Sequence, residues 1–145
     1  MSDSAYDRDY FAWLERQRDL LGAGRLAEAD LPNLAEEMGD LARQEKRHVL
    51  TRLVVLLAHL LEWRHAPMLR GGNRQTNIAD QRAGLAARLD RSPSLRPVAE
   101  MSFADCYARA VRAAALGSGL PAETFPNECP WTLAQVLEPD FLPEE

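Results

Sequence analysis

The residues best suited to chemistry in this sequence are three histidines, His48, His59 and His65, and the charged groups spaced around them. At about 100° per residue, Glu45, His48, Arg52 and His59 fall in one arc of a helix, together with Trp63. Such a row offers either acid–base chemistry, with carboxylates brought in from other helices, or ligands for a metal. The competing reading is a polar seam between helices, with Glu45 paired to Arg52 and the histidines hydrogen-bonded to neighbours. Arg52 favours the seam, because a fixed cation beside the imidazoles opposes a bound dication.

Spacing limits the metal reading further. Carboxylate-bridged di-metal bundles draw Glu-x-x-His pairs from two different helices. Here both pairs, Glu45-x-x-His48 and Glu62-x-x-His65, lie 17 residues apart on one predicted helix. That is roughly 25 Å at 1.5 Å per residue, so the two cannot share a site in one chain. One pair with distant acids is the remaining metal option. The block G-x-S-x-G, a phosphate-binding loop, a dinucleotide fingerprint and H-E-x-x-H are all missing. Cys106 sits among alanines and reads as core. Cys129 lies between Glu128 and Pro130, where acids would raise its pKa. These residues indicate no catalytic group and no cofactor.

The element that positions the row is a helix over residues 33–66, which holds one glycine and no proline. Leu34, Met38, Leu41 and Val49 share the arc of the polar row and read as core. Further on, the apolar face swings to Leu50, Leu53, Val54, Leu57, Leu60 and Leu61. Ahead of it, Ser4 and Asp7 have capping-box spacing for a helix running through Trp13 towards Leu21, with Tyr10, Trp13, Leu14, Gln17 and Leu21 on its apolar face. Residues 25–30 form a connector, and Asp30 caps the long helix. After Pro67 and Gly71-Gly72, a third helix spans 76–89, with Ile78, Leu85 and Leu89 on one side and Gln81, Arg82 and Arg88 on the other. A fourth helix starts at Ser94 and runs to about Leu116, with Val98, Met101, Asp105, Ala108, Val111 and Ala115 on its main stripe. The tail is rich in proline and carries a short helix over 131–137. No segment alternates with period two. The expected fold is all-α, a single domain over 1–145, built as an up-and-down bundle of four main helices around the long one.

Composition bounds the remaining classes. The chain has 145 residues, net charge −5 and two cysteines, so no disulfide framework is expected. Its longest apolar run is nine residues and contains His59. A membrane span needs about 20, and the acidic N-terminus is no secretory leader, so a cytoplasmic location is expected. The charge is unevenly spread. Residues 43–96 hold eleven Lys and Arg against four acids, while the flanks hold six bases and eighteen acids. Acidic flanks folding back on a basic middle is one reading of this layout, and an anion or nucleic-acid site on the middle is the other. No aromatic interleaves the arginines from 70 to 96, and the acidity of the whole chain opposes nucleic acid.

Five motifs then carry a resemblance: YDRDYFAW at 6–13, NLAEEMGDL at 33–41, LLAHLLEW at 56–63, SPSLRP at 92–97 and FPNECPWTLAQVLEPDFLP at 125–143. In this order and spacing the chain resembles a bacterial family, domain of unknown function twenty-nine. The resemblance implies a small all-helical domain without established activity. It supplies no catalytic residues. Members tend to carry Ser-Trp-Arg after the long helix, where this chain has Asn73-Arg74-Gln75. The expectation is a non-enzymatic helical protein, regulatory or antitoxin-like, that acts on a protein partner or as a homodimer.

Overall fold

The computed structural model describes residues 4–144 and is all-helical, with no strand among those residues. The helices are α1 (Ala5–Arg8), α2 (Tyr10–Gly22), α3 (Leu31–His65), α4 (Arg74–Arg91), α5 (Leu95–Met101), α6 (Phe103–Ser118) and α7 (Leu133–Leu137). Contacts divide the chain into two compact units, Met1–Gln44 and Glu45–Glu145, and the long central helix α3 contributes to both. No helix among the described residues is long and apolar enough to cross a membrane.

In the first unit the predicted opening helix is broken in two. Ser4 does cap α1, accepting from the Asp7 amide, but Asp9 then caps a new helix by accepting from the Ala12 amide at 3.1 Å. A second short acidic side chain able to satisfy free amides thus ends one helix and starts the next. The tip of Trp13 donates to Asp30 at 3.0 Å, and the Asp30 amide donates to Gln17 Oε1 at 2.6 Å. The Tyr6 hydroxyl donates to Glu37 at 2.6 Å, and Tyr10 donates to the same carboxylate. Trp13 and Gln17 thus meet the start of α3 at Asp30 while the earlier Tyr6 and Tyr10 meet Glu37 further along, so α2 and α3 run antiparallel. Tyr6 also packs edge-on against Trp13, 4.8 Å between ring centres. Trp13, Gln17 and Leu20 are the buried residues of α2, whereas Leu14 and Leu21, expected on the inner face, are exposed.

The core lies in the second unit. Leu53, Leu56, Leu57, Leu60 and Leu61 of α3 are fully enclosed, with Ile78 and Leu85 of α4, Cys106 and Ala110 of α6, and Leu133 and Val136 of α7. The expected fourth helix is two, α5 and α6, meeting at Ser102. Its buried side is Cys106, Tyr107, Ala110 and Ala114, whereas Met101, Asp105 and Ala108 of the expected stripe face solvent. Alanines at 99, 110 and 114 are fully enclosed. Gly119, with φ of 76°, ends α6 in the left-handed conformation. In the tail, Thr132 and Gln135 form a reciprocal capping box that opens α7.

The tail is fixed by a residue expected on the polar side of α4. Arg82 is buried, and its guanidinium donates to the carbonyls of Val136 at 2.8 Å, Pro139 at 2.8 Å and Phe141 at 2.5 Å. A flat fork with five N–H groups is the side chain best suited to three carbonyls at once. Burial lowers the pKa of this guanidinium, and Asp140 opposes the shift. Around the clasp, Trp131 packs edge-on against Phe141, 6.0 Å between ring centres.

Candidate functional site

The row predicted on the long helix is divided between two environments of the second unit. Glu45, His48 and Arg52 line or flank an open groove between α3 and α4. Arg47, Thr51, Val55, Gln81 and Arg88 complete its walls, and its volume is about 400 Å³. The predicted pairing of Glu45 with Arg52 is not the one formed. Glu45 instead sits 3.8 Å from Arg88, and Arg52 reaches Gln81 at 3.5 Å. His48 is exposed and has no partner among the described residues.

His59, the fourth member, belongs to a separate cluster further along α3. Arg74 Nη1 is bonded to both Glu62 and His59 Nδ1, the latter at 3.2 Å. A guanidinium can only donate, so Nδ1 accepts and the ring proton of the neutral imidazole sits on Nε2. Burial lowers the His59 pKa and Arg74 lowers it further, while Glu62 pulls the other way. Glu62 is buried, and Gly117 of α6 comes so close that a Cβ there would lie 3.0 Å from its Oε1. Arg74 is therefore an internal counter-ion.

The second Glu-x-x-His pair is divided between two neighbours. Glu62 is committed to Arg74, while His65 packs edge-on against Phe125, 5.4 Å between ring centres. His65 also has a lowered pKa, through burial and then Arg64. Among the described residues no three His, Cys, Asp or Glu side chains are placed to hold a metal ion. Both cysteines have raised thiol pKa values. For Cys129 the cause is burial rather than the neighbouring acids that the sequence suggested.

A second feature emerges in the first unit, and it is apolar. Leu31, Leu34, Met38 and Leu41 recur on α3 at steps of three and four, and Phe11, Leu14 and Leu21 follow the same register on α2. Leu34, Met38 and Leu41 were expected to be core. Leu34 is half-buried, but Met38 is 70% exposed and Leu41 60%, and on α2 Phe11 is 69% exposed. On each helix the stripe lies roughly 90° around from the face that meets the other helix, in the same rotational sense. Because the helices are antiparallel, equal rotations turn both stripes to one side of the hairpin. The polar residues that hold the hairpin, Trp13, Gln17, Asp30 and Glu37, occupy the other faces.

With this geometry in view, comparison with known proteins adds one finding. The family model described as Domain of unknown function DUF29 matches residues 5–142. The chain belongs to that family. No curated protein and no solved structure matches it. The motifs that carried the resemblance have structural duties here. Tyr6, Tyr10 and Trp13 clasp the hairpin, Glu37 receives both tyrosines, and His59 and Glu62 hold Arg74. In the C-terminal motif the Pro126 carbonyl accepts from Tyr107 at 2.6 Å, and burial pushes the Tyr107 pKa up to about 12.

Sequence reasoning missed Arg82, Arg74 and the walls of the groove. For Arg82 the signal was present, since Ile78, Arg82, Leu85 and Leu89 follow steps of four, three and four, which is one helical face. For Arg74 there was none, because its partners lie 12 and 15 residues away across a turn.

Proposed function

We propose that this protein is a non-enzymatic interaction module whose α2–α3 hairpin docks on a helical protein partner. The observation that carries this reading is the pair of exposed apolar stripes turned to one side of the hairpin. Two antiparallel helices with one shared apolar face are half of a four-helix bundle, and two helices of a partner would complete it. A unit of this size buries too little on its own to leave such a face idle without cost. Residues 1–44 carry ten acids against five arginines, so a partner with a basic rim suits the hairpin better than a second, equally acidic copy. The up-and-down bundle of four main helices around α3 belongs to the same reading, supported by the packing of α4, α6 and α7 residues on the second half of α3.

The test is affinity capture of the tagged full chain from its native cells. The expected result is one protein recovered in equal molar amount and lost when Met38 and Leu41 are replaced by glutamate. Recovery that is undiminished by Met38→Glu/Leu41→Glu, or failure of the unaltered chain to recover any protein, would overturn the proposal. A second copy as partner would appear as a dimer mass in light scattering of the purified chain.

A further inference from the structure

The α3–α4 groove in the second unit has a composition that the hairpin reading leaves unexplained. Three guanidinium groups, Arg47, Arg52 and Arg88, line one cavity of about 400 Å³ with His48, Thr51 and Gln81. Its nearest carboxylate, Glu45, stands 3.8 Å from Arg88, beyond the length of a good charged hydrogen bond. Arg52 reaches only a neutral amide oxygen, at 3.5 Å, and Arg47 and His48 have no partner among the described residues. Like charges gathered in one depression repel unless an anion sits between them.

Gly84 gives an independent reason to regard the groove as built. It lies inside α4, where glycine is a poor helix former and alanine the best. A Cβ at this position would stand 2.5 Å from Arg52 Nη1 and 3.0 Å from its Cζ. By contrast, a Cβ at Gly39, also within a helix, would meet its nearest side-chain atom at an ordinary 3.5 Å. The missing methyl at 84 is what lets the Arg52 guanidinium rest against α4 and face the cavity.

We infer that this groove binds the phosphoryl group of a small molecule. Guanidinium forks match phosphate oxygens in pairs, and the Thr51 hydroxyl and Gln81 amide supply further donors. The lining contains no Phe, Tyr or Trp on which successive bases could stack, and its seven residues gather at one place between two helices rather than along an extended track. The ligand is thus a small phosphorylated compound rather than a nucleic-acid strand.

The experiment titrates the purified full chain by calorimetry with three probes: inorganic pyrophosphate, glycerol phosphate and a single-stranded oligonucleotide. Pyrophosphate, glycerol phosphate or both are expected to saturate at one per chain, with a dissociation constant of about 1 mM or tighter. Tighter glycerol phosphate assigns the site to an organic monoester, and tighter pyrophosphate to an inorganic or diphosphate group. Arg52→Gln and Gly84→Ala should each weaken binding about tenfold, as expected for loss of one paired charged contact. Gly84→Ala removes no charge and raises helix propensity, so it separates a shaped site from mere positive potential and keeps the chain folded. Arg112→Gln, an exposed arginine on α6, should bind as the unaltered chain does. The inference is overturned by the absence of saturable binding of both small probes at about 10 mM, or by full affinity in Gly84→Ala. Equal loss in Arg112→Gln also overturns it, as does oligonucleotide binding that exceeds both small probes and strengthens with length.

Discussion

One helix runs through both units and behaves differently in each. Positions 31, 34, 38, 41, 45, 48, 52, 55, 59 and 62 follow unbroken steps of three and four along α3. In the first unit this line is Leu, Leu, Met and Leu, and Met38 and Leu41 are left exposed. In the second it turns to Glu45, His48, Arg52 and His59, with a groove and an ion-pair cluster on it, while the leucines on the adjoining face are fully enclosed. The first unit is held by polar fasteners and offers apolar surface. The second is held by an apolar core and carries polar groups along this line of α3. That inversion is what the proposed docking of the hairpin on a partner rests on.

The largest effect is expected at Arg82. Replacing it with methionine leaves three tail carbonyls without their donor, and the expected cost is about 3–5 kcal/mol of stability by urea unfolding. A loss below about 1 kcal/mol would show that the tail is held by apolar packing alone.

Next in size is a matched pair on α3 itself. Leu57→Ala, in the enclosed face, should cost about 2–5 kcal/mol through lost burial and a residual cavity. Leu41→Ala, on the exposed line, should change the stability of the isolated chain by no more than about 0.5 kcal/mol. Similar values for the two would remove the distinction between the halves of the helix.

A smaller and more local effect is expected at Glu37, which takes both tyrosine hydroxyls. Their pKa values are raised by that carboxylate first of all, Tyr6 to about 12. Glu37→Ala should speed hydrogen exchange of the α2 amides several-fold and leave those of α4 and α6 unchanged. Slowed or unaltered exchange in α2 would mean that the aromatic cluster holds the hairpin without its acceptor.

The smallest expected effect is a pH dependence confined to the second unit. His59 and His65 both have folded pKa values below 6.5, so the unfolded chain takes up their protons first. Their contribution is complete above pH 6.5 and declines as the pH falls through that value towards the lower folded values. His59→Asn keeps an acceptor for Arg74 and should flatten part of this decline, read as urea midpoints at pH 7.5 and 5.5. An unchanged pH slope in the variant would assign the decline to other groups.

Much of this architecture was legible because it is periodic. The long helix, the glycine and proline stops, the Asp30 cap, the core leucines from 53 to 61 and the buried Cys106 follow from spacing and residue type. The same periodicity misled on α3 before residue 45, since a stripe of Leu and Met reads alike whether its partner lies in the same chain or in another molecule. The break at Asp9 was missed because Ser4 and Asp9 are both competent caps, and only one was given a helix to start. The polar row was visible as a row. Its division was not, because Arg74, Gln81, Gly84 and Arg88 reach it from α4 across a turn whose geometry no local pattern specifies.

In the proposed docking the hairpin face, and not the second unit, receives the protein partner. Hydrogen exchange of the full chain, alone and bound to the captured partner, tests it most directly. New protection is expected to be confined to α2 and to α3 before residue 45, with α4 and α6 exchanging as they do in the free chain. Protection that falls on α4 or α6 while the hairpin exchanges as before would contradict it.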